Sequence, residues 1–567
     1  MSALRADLRS LATMLLLVAT LAACGGAPTT APTAAPEAPT AAPEAPAAPT
    51  AAPAAPTAAP EAPTAAPEAQ PITIRIMTWH GPDGNTAYYE GYKTLTDAYT
   101  AANPNVTFEF VYQPLDGYKE LLDTQFVAGS APEIIHMQPW MINEYANKGV
   151  LHNLNNAYNS TSPYVDGPAW IASFAGGEDT FAGVRSSNKF GGIFFVPSDS
   201  SAVLSIGQPF YYNKDLFRQA GLDPENPPQD WEQFRAALAA LKDAGVIPIA
   251  ADNGRWVGWS LGQVGYQFGE RYVDQFYDAK FTGDRGLEFY WDKVYLALAN
   301  GQLTDAEYYG DMLSLWKDYA QYWQEGWTGT SEADAPNLFM TGQAALLQSG
   351  FWDFQSYSAL IGDKFEWGVF PVPVITSATS SFGIGKYGAP AGTQDYGFTV
   401  NAAVESDPAL AAAVIDFLQY MTSLEAQTTY VGIAKSFSPV VGVPIPDEIR
   451  GFIAPEALAT AREVVGPSFI EWGDGAIWPG LSQDFLLGNI DQAAYQAEVA
   501  ASSQEGAKAY VESMLGPDGF QASIAAAQQT LADLQAEGAS ELMIASQQRT
   551  VENLQLRYEM MQTYYTP

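Results

Sequence analysis

One cysteine occurs in the chain, Cys24, and it closes the run Leu21-Ala22-Ala23-Cys24. Arg5 and Arg9 precede the apolar residues 11–19. A charged start, an apolar middle and a small-residue exit make a secretory signal. A lone thiol excludes an intrachain disulfide, so oxidative stapling adds nothing to the fold. The carboxylates Glu471 and Asp474 flank Trp472, with Asp484 beyond. Glycoside hydrolysis would need two such groups about 5–10 Å apart, but among 63 acidic residues neighbours of this kind arise by chance. The pair Tyr211-Tyr212 has the chemistry to ligate ferric ion, yet Tyr88-Tyr89, Tyr308-Tyr309 and Tyr564-Tyr565 repeat it. His80, His136 and His152 lack metal-ligand spacing. There is no glycine-rich phosphate loop and no nucleophile elbow. What stands out is aromatic: 14 Trp, 30 Tyr and 28 Phe. Many of these rings must fill cores; Trp and Tyr also stack on the C–H faces of sugars.

The segment ending at Cys24 resembles the lipobox of bacterial lipoproteins. That resemblance implies cleavage before Cys24 and a diacylglycerol on its thiol. Residues 1–23 are then a lipoprotein signal peptide, and the expected location is the extracytoplasmic face of the cell membrane. Two acyl chains give stable attachment where one is marginal. The apolar run is about half the length of a spanning helix, and no later run reaches that length. Residues 24–70 form the lipidated cysteine and a linker of Ala, Pro, Thr and Glu. The linker has no large apolar side chain and cannot bury a core. Its prolines favour extended polyproline II at ~3.1 Å per residue, enough to span roughly 100 Å.

The chain carries 26 Lys+Arg against 63 Asp+Glu, a formal net charge of −37. Such a surface repels phosphate backbones and anionic headgroups, so nucleic acid is not an expected partner and anchoring falls to Cys24. It favours a neutral or cationic ligand over an anionic one.

From Pro71 the composition becomes that of a folded protein. Ile72, Ile74 and Ile76 alternate as a strand. Tyr88, Tyr92, Leu95 and Tyr99 follow helical spacing, stopped at Asn103-Pro104. Val106, Phe108, Phe110 and Tyr112 form a second strand. Asp116 is placed to cap a helix that ends at Gly129, and Ile134-Ile135 begins a third strand. The alternation of strands and helices predicts a mainly parallel sheet. Asp230 and Gln233 have capping-box spacing before Phe234, Leu238 and Leu241. The strand 246–250 follows, in a second α/β unit. Ligands of such sheets bind beyond the carboxyl ends of the strands. At the far end, Phe520, Ile524, Leu531 and Leu534, a break at Gly538-Ala539-Ser540, then Val551, Leu554, Tyr558 and Met561, predict a helical hairpin over about 521–563, packed on the second lobe or on a partner.

Several segments together resemble the extracellular solute-binding proteins of ABC importers, specifically the sugar-binding family. The most telling run is Tyr211-Tyr212-Asn213-Lys214-Asp215-Leu216-Phe217, continued to Gly221-Leu222 and followed by Pro227-Pro228 and Trp231. Gly129-Ser130-Ala131-Pro132-Glu133-Ile134-Ile135 is similar to a second family motif, with Glu133 where the family usually has Asp. Phe339 to Leu346 with Gly350 and Trp352, and Leu410 to Tyr430, match two more, in the right order.

The resemblance implies an α/β, two-lobed, periplasmic-binding-protein-like (type II) fold with hinge-crossing strands, plus a C-terminal helical extension at 516–567. By analogy the solute-binding domain covers 71–515. Lobe one takes about 71–205 and 344–400, and lobe two about 206–343 and 401–515. The implied function is capture of a saccharide between the lobes and its delivery to an ABC permease. No covalent chemistry, cofactor or metal is expected. Expected ligand contacts are Trp79; Gln138 and Trp140; Tyr211, Tyr212 and Asn213; Asn253, Trp256 and Trp259; Trp352 and Asp353; and Trp472 and Trp478. Alternatives are a secreted glycoside hydrolase, a binding protein for a non-sugar solute, and an adhesive surface lipoprotein.

Overall fold

The structure is a computed structural model. It describes residues 70–567 except 83–85, 166, 176, 178–180, 199–207, 266, 269–271, 284–285, 304–306, 391–396, 454–462 and 466–477. Contacts divide the chain into the units Met1–Pro67 and Glu68–Pro567. Cys24, the signal and all but the last residue of the linker lie outside the described residues.

Two sheets organise the second unit. The first takes the order β2-β1-β3-β10-β4, from β1 (Ile72–Thr78), β2 (Val106–Tyr112), β3 (Ile134–Met137), β4 (Val196–Pro197) and β10 (Gly397–Val400); β9 (Gly388–Pro390) pairs apart from both sheets with the strand Glu463–Val465. β1 runs parallel to β2 and β3, while β10 is antiparallel to β3 and β4. The second sheet has the order β6-β7-β5-β8, from β5 (Phe210–Asn213), β6 (Ile247–Ala250), β7 (Ala344–Gln348) and β8 (Trp367–Phe370). β6 and β7 are parallel, and β5 is antiparallel to β7 and β8. Each sheet carries helices and has its own apolar core.

Local chemistry explains most element ends. The helix Trp231–Asp243 starts on Asp230, whose carboxylate accepts from the Gln233 N–H at 2.9 Å. Gln233 Oε1 reaches back to the Gln229 N–H at 3.1 Å, so the capping box closes one residue further out than expected. Asp116 does not cap the helix Tyr118–Ala128. Its N-cap is Gly117, in the left-handed region at φ 74°, a conformation that glycine adopts without steric cost. Glu133 accepts from the Arg75 backbone N–H and from its guanidinium at 2.6–3.2 Å. The longer carboxylate thus ties β1 to the start of β3.

The lobe segments depart from the expected boundaries. β7 and β8 (residues 344–370) pair with β5 in the second sheet, whereas the expectation put them in lobe one. All five β7 residues, Ala-Ala-Leu-Leu-Gln, are buried, which suits a central strand covered on both faces. The helices Pro408–Met421 and Leu424–Ala434, expected in lobe two, pack on the first sheet through Val414, Phe417, Leu418 and Tyr430. Their apolar faces meet Tyr99 and Phe108 there.

A third, helical layer follows. The helix Gln492–Leu515 puts Tyr495 and Val499 into the second core and Ala507, Val511 and Met514 into another cluster with Val294 and Leu298. The hairpin Phe520–Glu537 and Glu541–Tyr564 completes that cluster. Gly538 turns it at φ 69°, and the Ser540 hydroxyl caps the second helix.

Candidate functional site

Strand ends position the first group of candidates. β1 and β3 are parallel neighbours, so residues following them emerge at the same edge. Trp79 follows β1, and its ring stacks on His136 of β3, with centroids 3.9 Å apart and 10° between planes. Tyr118 meets Trp79 edge-on at 5.5 Å. Thr78 Oγ1 lies 3.4 Å from His136 Nδ1, and Ser198 Oγ 3.5 Å from Nε2. Burial holds the His136 imidazole well below the ordinary histidine range and lowers His80 to about 3. Both rings are therefore neutral near pH 7. Beyond β3, Trp140 is 52 % exposed and its indole N–H donates to Gln138 Oε1 at 2.7 Å.

The second group gathers where β6 and β7 end, again on parallel neighbours. Trp259, in the helix Arg255–Gly265, meets Trp352 edge-on at 5.8 Å. Trp352 packs both on the first core and on a cluster around Tyr211 and Phe351. One turn along from Trp259, Gln263 donates to Gln208 at 3.0 Å. Gln208 stands just before β5, and its carbonyl accepts from Gln348 at 2.8 Å. Asp252 starts the Trp259 helix by accepting from the Gly254 and Trp256 N–H groups at 2.8 and 3.1 Å. Asn253 binds the Thr330 carbonyl through its N–H at 3.1 Å, and its side-chain oxygen is buried without a donor. Asp353 accepts from Ser349 and Tyr357 at 2.5 and 3.2 Å.

Four expected contacts are buried and engaged within the protein. Tyr211, Tyr212, Asn213 and Trp256 are all at most 4 % exposed. The Tyr211 hydroxyl donates to the Gly350 carbonyl at 2.8 Å, and that of Tyr212 to the Pro224 carbonyl at 2.6 Å. Asn213 Oδ1 caps the next helix, accepting from the Asp215 and Leu216 N–H groups at 3.0 Å. Trp256 packs among Phe210, Tyr319 and Trp323 in the second core. The double-tyrosine strand is paired on both edges, and all four of its residues are buried, so both faces are covered as well. Trp478 is the first residue of the helix Trp478–Leu487; Trp472 lies outside the described residues. So do Glu471 and Asp474, while Asp484 is engaged locally by Asn489 at 2.9 Å.

Sequence reasoning missed His136, Gln208 and Gln263. All four residues of β3 are buried, so no alternation marks His136, and only the pairing of β1 with β3 brings Trp79 over it. Nothing local marks the two glutamines. Among the described residues no group of His, Cys, Asp or Glu is placed to hold a metal, and no helix is long and apolar enough to cross a membrane.

Residues 83–428 match the family of bacterial extracellular solute-binding proteins. An uncharacterized ABC transporter extracellular-binding protein of Pyrococcus horikoshii is 24% identical over 47% of this chain and 59% of its own length. The sn-glycerol-3-phosphate-binding periplasmic protein UgpB of Escherichia coli is 26% identical over 32% of this chain and 39% of its own. The chain thus spans less than two thirds of the length of these curated relatives. The solute-binding protein RafE in complex with raffinose has a like fold, with a TM-score of 0.53 at 19% identity over 77% of this chain and all of that one. These relatives are binding proteins.

Proposed function

The chain belongs to the bacterial extracellular solute-binding protein family, and we propose on that premise that it captures a saccharide between its two lobes and hands it unaltered to the permease of an ABC importer. Lipid on Cys24 holds it at the outer face of the membrane, with the Ala/Pro/Thr/Glu linker as a stalk. Ligand that touches both lobes favours a closed form, and the hinge supplies the two states.

The observation that carries the ligand class is the Trp259–Trp352 pair with the Gln208–Gln263 amides beside it. Indole faces suit the C–H faces of a pyranose, and amides suit its hydroxyls. A site built to hydrogen-bond hydroxyls rejects analogues that lack them. Trp79, Gln138, Trp140, Asn253 and Asp353 add the same chemistry at the strand ends. UgpB is named for an anionic solute, but none of the candidate residues here is cationic, and the chain is strongly acidic.

A melting screen tests the reading, with mono- and oligosaccharides against sn-glycerol 3-phosphate. A ligand at a hundredfold excess over Kd stabilises by ~2.7 kcal/mol, a shift of a few degrees. A response to a saccharide alone is expected. A response to the glycerol phosphate and to no sugar overturns the ligand class.

A further inference from the structure

The C-terminal hairpin, which lies beyond the family match, is joined to both lobes through one guanidinium. Arg557, in the helix Glu541–Tyr564, is buried, as is Asp292. Its Nε and Nη2 bind the Asp292 carboxylate at 2.5 and 3.1 Å. Its Nη1 donates to the carbonyls of Arg185 and Asn188 at 3.0 and 2.7 Å, and Nη2 to that of Ser186 at 2.9 Å. The five N–H donors of the guanidinium are thereby all used. The Phe520 ring covers it at 4.7 Å.

The two sets of partners belong to different bodies. Asp292 lies in the helix Tyr290–Ala299, which packs on Gln492–Leu515, and that helix is rooted in the second core through Tyr495 and Val499. The carbonyls of 185–188 belong to a segment anchored in the first core by Phe181, Val184 and Ile193. Two contacts beside the guanidinium follow the same line. Asn159 donates to Ser546 at 3.0 Å, and Leu554 lies against Gly191, 3.4 Å from where a Cβ would stand.

We infer that the hairpin is a strap between the lobes that limits how far the cleft opens before ligand arrives. The inference rests on the hinged reading proposed above. Drawing the lobes apart at this point would pull Arg557 from Asp292 or from the three carbonyls. Either loss leaves buried charge or buried carbonyls without partners, which is strongly unfavourable. The strapped chain therefore samples a narrow range of lobe angles, and less conformational freedom is lost on binding.

The test is pulsed electron-spin distance measurement on the full chain with Cys24→Ser and nitroxide labels at Val127→Cys and Glu325→Cys, without sugar. The pair variant R557M/D292L removes both charges and strands neither. It is expected to broaden the interlobe distance distribution by about twofold or more. Leu554→Ala keeps the ion pair and is expected to broaden it less; it also serves if the pair variant does not fold. An unchanged width in a folded variant overturns the strap. If a saccharide that raises the melting point still narrows the distribution in that case, the hinged reading stands alone. If neither variant nor sugar changes it, both fall.

Discussion

The indole of Trp79 lies flat on the imidazole of His136, 3.9 Å between centroids and 10° from parallel. One face of the indole is thus fixed by a neutral ring from the neighbouring strand. Trp79 itself keeps partial exposure. A plate held this way loses little freedom when a sugar ring settles on it.

The pH response follows from the same stack. Burial keeps His80 and His136 neutral in the folded chain, with His80 lowered to about 3. The unfolded chain takes up protons at both below about 6.5. Their contribution to stability is therefore complete above that pH and declines as pH falls from 6.5 toward 3. Between pH 7 and pH 5 the shift at His80 should cost about 2 kcal/mol of stability, and that at His136 acts in the same direction. Urea unfolding at the two pH values measures it, and His136→Phe should make the difference smaller. An unfolding free energy that does not change between them is the contrary result.

Trp79→Ala should weaken saccharide binding by about 2 kcal/mol, roughly thirtyfold, as for a central aromatic contact. Titration calorimetry reads the affinity, and circular dichroism checks the fold. Unchanged affinity would remove Trp79 from the site.

Gly350→Ala probes the Trp259–Trp352 pair without replacing either residue. A Cβ there would stand 2.2–2.4 Å from the Trp352 indole, closer than any real contact, so the ring must swing. The expected outcome is weaker saccharide binding and altered tryptophan emission in a chain that still melts cooperatively. Wild-type affinity would mean that the pair does not meet ligand.

Asn213→Ala separates cap from contact. Losing the two N–H bonds at the helix start should cost about 1 kcal/mol of stability and leave saccharide affinity unchanged. A large loss of affinity at wild-type stability would return Asn213 to the binding site.

Local pattern made much of this fold readable. The alternation at Ile72, Ile74 and Ile76, the Asp230 cap and the break at Gly538 each act within a few residues, where side-chain period and capping chemistry decide. Pairing partners were not readable in that way. The run Ala344-Ala345-Leu346-Leu347 is apolar whichever sheet it joins, so its place beside β5 depends on the whole topology. Tyr211 and Tyr212 carry groups that could bind sugar, but a central strand consumes both hydroxyls on backbone carbonyls. Trp79 and Trp352 stand out by type and position as candidates. His136 beneath the first, Gln208 beside the second group and Arg557 between Asp292 and the 185–188 carbonyls depend on contacts between residues far apart in sequence.

Small-angle scattering of the full chain, with and without a saccharide that raises its melting point, addresses the central claim most directly when the sugar is recovered afterwards and its length determined. The account predicts a smaller radius of gyration with sugar present and a sugar recovered intact. A radius that stays the same with bound sugar, or a sugar returned cleaved, would contradict it.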